Sequence, residues 1–270
     1  MSTASATLER PARATHAARR IDPIPMTRLV RVELSKMFNT RSGFWLMASV
    51  GITATIATIL VVALKPDGGL RYGNFAGAVG FPMSVILPMI AILSVTSEWS
   101  QRTGLTTFTL VPHRGRVITA KLAATMLAGI GSIALAFAVG AVGNLVGPAL
   151  VGVDTEWDIS LGNAALIFLA DGLGMLMGFT LGILIRSSAG AIVGYFVYAL
   201  VLPGAFGTLA SFKDWFADRQ GWFDFQFSST RLYDGDLARS DWAHLVVSGS
   251  YWLVLPLVLG LFLALRSEVK

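Results

Sequence analysis

The chain has 270 residues, of which 54% are hydrophobic and only 14% are charged, and its formal net charge is +5. Soluble domains carry about 25% charged residues, so this composition excludes an ordinary soluble enzyme and favours a multi-pass membrane protein. The absence of cysteine excludes disulfides and thiolate chemistry. No metal site is predicted, because His16, His113 and His244 lie far apart in the sequence.

The first predicted element is an amphipathic helix over residues 26–41, where apolar residues recur at helical spacing. Arg28, Arg31 and Lys36 lie mostly off the apolar stripe, so this basic face favours a position along the inner leaflet of a membrane. A soluble helix docked on a partner is the alternative. Residues 1–25, which precede it, contain no apolar run and predict a flexible cytosolic tail.

Six apolar segments follow, each long enough to cross a bilayer as a helix of about 20 residues. A backbone in lipid must satisfy its own hydrogen bonds, so every span is expected to be helical and the fold all-α. The predicted spans cover residues 43–64, 75–95, 122–146, 163–185, 189–209 and 243–265. Residues 210–242 interleave aromatic and charged side chains, which predicts an interfacial or re-entrant outer connection with one or two short helices. An irregular loop is the alternative there.

The distribution of basic residues predicts the orientation of the spans. Of the 21 Lys and Arg residues, 15 lie before the first span, between the second and third, between the fourth and fifth, or after the sixth. Basic residues mark the cytoplasmic side of a membrane protein, so both termini are expected inside the cell and the chain in its plasma membrane. In a membrane protein, basic residues are first explained by the orientation of the spans. The net positive charge therefore does not predict a nucleic-acid partner.

The spans contain almost no side chain that could carry chemistry. No GxxxxGK[ST] phosphate loop and no GxSxG or HExxH motif occurs, so no catalytic residue is predicted. The exception is Asp171 in the fourth span, because a carboxylate inside a membrane is costly and is a functional hypothesis by default. A proton or cation site and a structural, hydrogen-bonded acid are both open. Gly174, Gly178 and Gly182 follow at steps of four, which is typical of close helix packing.

The segment after the second span resembles the corresponding region of type-2 permeases of ABC transporters. In that family an acid is followed by a basic residue, threonines, an apolar pair, Pro, Arg and a Lys that opens the third span. The residues that match this pattern are Glu98, Arg102, Thr103, Thr106, Thr107, Phe108, Pro112, Arg114 and Lys121. Glu33 and Lys36, followed by Arg41 and Ser42 just before the first span, also resemble the family.

The resemblance implies a permease domain over residues 26–270 that works as two copies, either as a homodimer or with a related permease. Residues 97–116 would form a coupling segment whose helix, around residues 98–111, rests on a separate ATP-binding cassette ATPase, and that partner would bind ATP and magnesium. No cofactor is expected in this chain. Glu98 would form an ion pair with nearby basic residues that links the coupling segment to the amphipathic helix; a solvated topology charge is the alternative.

The same resemblance places the transport route between the second and fifth spans of facing copies. Six side chains on these spans are candidates to line it, and each also fits a simple packing role: Phe81, Met83, Met89, Phe196, Tyr198 and Phe206. Pro82, Pro88 and Pro203 predict bends in the same helices.

The function expected from the sequence is therefore that of the membrane subunit of an ATP-driven exporter. Its cargo would be an amphipathic drug, peptide or lipid-like molecule, and the chain itself would not be an enzyme. Two other classes stay open: an ion-coupled secondary transporter that uses Asp171, and a non-transporting membrane immunity or scaffold protein.

Overall fold

The computed structural model describes residues 24–64, 70–100 and 114–266. In these ranges the protein has no β-strand and has six helical segments long and apolar enough to cross a membrane, which confirms the predicted all-α membrane fold. The first five helices are α1 (Met26–Asn39), α2 (Arg41–Leu64), α3 (Tyr72–Ser100), α4 (Arg114–Val151) and α5 (Leu161–Ile185). Helices α2 to α5 are the first four spans.

The fifth and sixth spans each contain one π-helical turn. The fifth consists of α6 (Ser188–Phe196), a π turn (Val197–Val201) and α7 (Leu202–Phe212). The sixth, after the capping segment described below, consists of α11 (Arg239–Gly249), a π turn (Ser250–Val254) and α12 (Leu255–Arg266). A proline lies shortly after each π turn, at Pro203 and Pro256. Since proline cannot donate a backbone hydrogen bond and its ring crowds the preceding turn, a local widening of the helix accommodates it.

Helix α3 lies at the centre of the bundle and packs against α2, α4, α5 and α6. Its closest neighbour is α5, where the predicted small-residue face is confirmed. A Cβ atom added to Gly178 would lie 2.6 Å from the carbonyl oxygen of Pro88, and one added to Gly182 would overlap Cγ1 of Val95. Only a residue without a side chain allows this approach.

The connection between the fifth and sixth spans folds over one end of the bundle. It contains the short helices α8 (Asp214–Ala217), α9 (Gln220–Phe223) and α10 (Phe225–Thr230), then a 3-10 turn (Arg231–Tyr233). We call residues 214–233 the capping segment. The Asp224 side chain accepts a hydrogen bond from the Phe227 amide at 3.0 Å and caps α10. This cap places Tyr233 above the membrane-spanning helices.

The main difference from the predicted boundaries is at α4. Its apolar part was predicted to begin near residue 122, but the helix begins at Arg114. The additional two turns pack against α1. They are stabilised by protein contacts rather than by lipid, so hydropathy gives no signal for them.

Candidate functional site

The opposite end of the bundle carries a buried ionic cluster between α1 and α4. The two carboxylate oxygens of Glu33 contact two different lysines: Oε1 lies 2.6 Å from Lys36 Nζ and Oε2 lies 2.5 Å from Lys121 Nζ. The Lys121 and Glu33 side chains are only 5% and 7% exposed. Burial opposes ionisation of Glu33, but the adjacent Lys121 and Lys36 ammonium groups outweigh it and lower the pKa of Glu33 below its ordinary value.

This cluster determines which side of α1 faces the protein. The apolar stripe is largely half-buried against α2 and α4, with Glu33 buried among it, whereas Arg28 and Arg31 are exposed. At the start of the helix, Arg116 Nη2 of α4 donates to the Ile24 carbonyl at 2.5 Å. Helix α1 is therefore docked on the spans of its own chain, and the exposed Arg28 and Arg31 side chains point away from that contact.

Hydroxyl contacts connect the ends of three spans near this cluster. The Ser94 hydroxyl of α3 lies 2.9 Å from the Thr125 hydroxyl of α4. The Thr96 hydroxyl, half a turn further along α3, lies 2.7 Å from the Ser188 hydroxyl at the start of α6. Helix α3 is thus hydrogen-bonded to both α4 and α6 at the same end at which α1 is docked.

A second region, near the capping segment, is a cavity of about 440 Å³ between α3, α5, α6, α10 and the 3-10 turn. Asp171 of α5 lies on its wall and is 4% exposed. The Tyr233 hydroxyl donates a hydrogen bond to Asp171 Oδ1 at 2.7 Å. Burial and the Asp171 carboxylate raise the pKa of Tyr233 far above its ordinary value, so its hydroxyl keeps its proton and stays a donor.

A proline explains a second hydrogen bond at this cavity. Pro88 has no amide hydrogen, so the carbonyl of Ser84, four residues earlier in α3, loses its usual helical donor. The Tyr195 hydroxyl of α6 donates to that carbonyl at 2.9 Å. The two tyrosines therefore connect α6 to α3 and the capping segment to α5, on either side of one cavity.

The six side chains predicted to line a transport route have different positions. Phe81 and Tyr198 line the cavity, and Phe81 is 78% exposed. Met83 is 1% exposed and packs in the main core, which fits the packing alternative. Met89 packs against a second core cluster around α5 and α6.

The two remaining candidates lie on the fifth span. Phe206 packs on Phe216 of the capping segment, with 5.8 Å between ring centroids. Phe196 is 37% exposed and lies beside Tyr195.

The predicted coupling residues lie outside the part of the chain that the structure describes. This applies to all of Arg102, Thr103, Thr106, Thr107, Phe108 and Pro112, and to the side chains of Glu98 and Arg114. The ion pair expected for Glu98 stays a prediction. The buried pair found next to this segment joins Glu33 to Lys121 instead, and sequence reasoning did not predict it.

The fold defines the chain as a multi-pass α-helical membrane protein. No protein-family model matches the sequence, and no curated protein matches it significantly.

Proposed function

We propose that this chain is the membrane subunit of an ATP-driven exporter, similar to the type-2 ABC permeases that its sequence resembles. The observation that carries the proposal is the buried Glu33–Lys121 ion pair, which joins α1 to α4 directly after the predicted coupling segment, residues 97–116. A separate ATPase subunit would bind ATP and magnesium and would contact this segment. The chain would perform no bond chemistry itself.

The contacts at this end support transmission of a movement from the segment to the spans. Helix α4 begins at Arg114, and Lys121 follows about two turns later, so a displacement at residues 97–116 reaches Lys121 through a continuous helix. The ion pair carries the displacement to α1. The Ser94–Thr125 and Thr96–Ser188 hydroxyl contacts carry it to α3 and α6.

The same helices form the walls of the Asp171 cavity. Pro88 of α3 packs against Gly174 and Gly178 of α5, and Tyr195 of α6 is hydrogen-bonded to α3. A concerted shift of α3 and α6 against α5 would change the width of this cavity. The two prolines in α3, Pro82 and Pro88, and the π turns in the fifth and sixth spans are sites where such helices bend.

The outer faces of the spans support assembly with a second permease copy, either identical or related. Only 17% of the fifth span and 22% of the first span are buried within the chain, so their apolar side chains need lipid or another protein. In the proposed arrangement the route lies between the two copies, both termini face the cytoplasm, and the complex is in the plasma membrane. Its cargo would be amphipathic.

Orientation can be tested directly because the chain has no native cysteine. We expect Thr107→Cys, in the coupling segment, to react with a membrane-impermeant maleimide only after cells are permeabilised. Thr155→Cys, in the exposed connection at the capped end, should react in intact cells. The opposite labelling pattern would contradict contact between the coupling segment and a cytosolic ATPase.

Coupling is tested by charge reversal at Glu98 in the chain co-purified with its ATPase subunit. We expect Glu98→Arg to retain ATP hydrolysis and to lose transport, without loss of membrane insertion. Asp218→Arg, an exposed acid in the capping segment, serves as the matched control and should transport normally. Unchanged transport by Glu98→Arg would remove the proposed role of Glu98.

A further inference from the structure

We propose that the Asp171 cavity is a binding site for an organic cation with an apolar or aromatic body, one ligand in each copy of the chain. The inference rests on the proposed function only in that such a cation would be a cargo of the exporter. The binding site itself is inferred from the charge, the aromatic surface and the size of the cavity.

The charge of the wall favours a cation. Among the described residues that line the cavity, Asp171 is the one acid, and none is Lys, Arg or His. Asp171 Oδ1 is occupied by the Tyr233 hydroxyl, whereas Oδ2 has no hydrogen-bond donor in the described part of the chain. Asp171 is 4% exposed, and a carboxylate with so little access to water is costly to keep charged without a positive charge or a further donor. A ligand ammonium group supplies that charge.

The aromatic side chains around Asp171 suit the same ligand. The cavity is lined by Tyr195, Tyr198 and Tyr233, and the Tyr195 and Tyr198 ring centroids are 6.1 Å apart. Aromatic faces attract cations through their quadrupole, and this attraction increases when water is excluded. A carboxylate that shares a cavity wall with these rings therefore favours a quaternary or alkylated ammonium group over an anion.

The size and position of the cavity indicate how large the ligand is and where its apolar part lies. A volume of about 440 Å³ is within the usual range for small-molecule sites. Phe81, which is 78% exposed, marks the open side of the cavity on the membrane-spanning surface. At the other side, the capping segment provides the amide group of Gln226 and the hydroxyl group of Thr230. An amphipathic cation can place its apolar part near Phe81 and its charge near Asp171.

The proposal is tested by isothermal titration of the purified full chain in nanodiscs with benzyltrimethylammonium, using benzenesulfonate as an anion of similar size. We expect saturable binding of the cation and none of the anion. Asp171→Asn should weaken cation binding at least tenfold, since Asn retains the shape of Asp171 and can still accept from Tyr233. Asp218→Asn is the control, because Asp218 is an exposed acid of the capping segment that does not line the cavity. It should bind as the wild type does.

Equal affinity of the wild type and Asp171→Asn, equal binding of the anion, or no binding of the cation would each overturn the proposal. The last result would leave Asp171 as a structural acid or a proton site. A cooperative thermal unfolding transition and a single size-exclusion peak show that Asp171→Asn is folded. If it is not folded, Phe81→Ala, which changes an exposed side chain at the open side of the cavity, should weaken cation binding, and unchanged binding by that variant would overturn the proposal. The titration contains no ATPase, so failure of cation binding and failure of ATP coupling are seen in separate experiments.

Discussion

Glu33 Oε2 lies 2.5 Å from Lys121 Nζ although the two residues are 88 positions apart in the sequence. The pair joins a helix that precedes the first span to the beginning of the third span. Both charges are almost fully buried, so either one is costly to leave without compensation. A movement that separates α1 from α4 would leave these buried charges without compensation. The free energy that this requires keeps the two helices together.

Breaking this pair should destabilise the protein strongly. Removal of one partner of a buried pair typically costs about 3–5 kcal/mol, and we expect the lower end for Lys121→Met, because Lys36 still contacts Glu33. The double variant Glu33→Gln/Lys121→Met should lose less than the sum of the two single variants. Thermal unfolding of the four proteins in detergent measures this cycle.

The control for the cycle is Arg71→Met, which breaks the Arg71–Glu156 pair at the capped end. Both side chains of that pair are more than half exposed, so its loss should cost no more than about 1 kcal/mol. Additive effects of Glu33→Gln and Lys121→Met would show that the two residues do not stabilise each other.

The stability contributed by Glu33 should depend on pH with a definite sign. Its pKa in the folded protein is lowered from the ordinary value of 4.5, so the folded state favours the ionised form. The contribution is therefore complete above about pH 4.5 and is lost as the pH falls through the lowered pKa. The difference in unfolding temperature between the wild type and Glu33→Gln should be constant near neutral pH and shrink in acid. A difference that shrinks as the pH rises would contradict this assignment.

The sequence allowed the spans and one packing face to be predicted, because both depend on local patterns. About 20 consecutive apolar residues define a span wherever it occurs, and glycines at steps of four define a close contact. The contact that Gly178 makes is consequently open to a simple test.

Gly178→Ala should destabilise the α3–α5 contact. The new Cβ would lie 2.6 Å from the Pro88 carbonyl oxygen, which belongs to the backbone and cannot rotate away. Overpacking of this kind costs about 1–3 kcal/mol. Gly172→Ala on the same helix is the control, since its Cβ would meet no atom within 4 Å, and it should be neutral or stabilising by about 0.5–1 kcal/mol. Equal unfolding temperatures for the two variants would count against this close contact.

Tyr233→Phe should weaken the attachment of the capping segment. The variant keeps the ring but removes the donor to Asp171, and an unsatisfied buried acceptor costs about 1–3 kcal/mol. Tyr251→Phe is the comparison, because its hydroxyl makes no hydrogen bond within the described residues. Limited proteolysis within residues 214–233, together with thermal unfolding, should separate the two variants. If both behave like the wild type, the Tyr233–Asp171 hydrogen bond does not hold the cap.

The contacts that define the two candidate regions could not be predicted from spacing. Glu33 and Lys121, or Asp171 and Tyr233, lie on different helices, and nothing local in the sequence fixes which helices become neighbours. Asp171 itself was identified because an acid in a span is rare. One signal was present and unused: Pro88 frees the Ser84 carbonyl, so a buried hydroxyl donor, which proves to be Tyr195, could have been expected nearby.

The central claim, that a separate ATPase drives this chain through residues 97–116, is tested most directly by site-specific photo-cross-linking from Phe108 in native membranes. We expect one major adduct, with a polypeptide that contains a phosphate-binding loop and hydrolyses ATP, and we expect none from the same probe at Phe212 at the other end of the bundle. If the probe at Phe108 forms no adduct with a nucleotide-binding polypeptide, the account is contradicted.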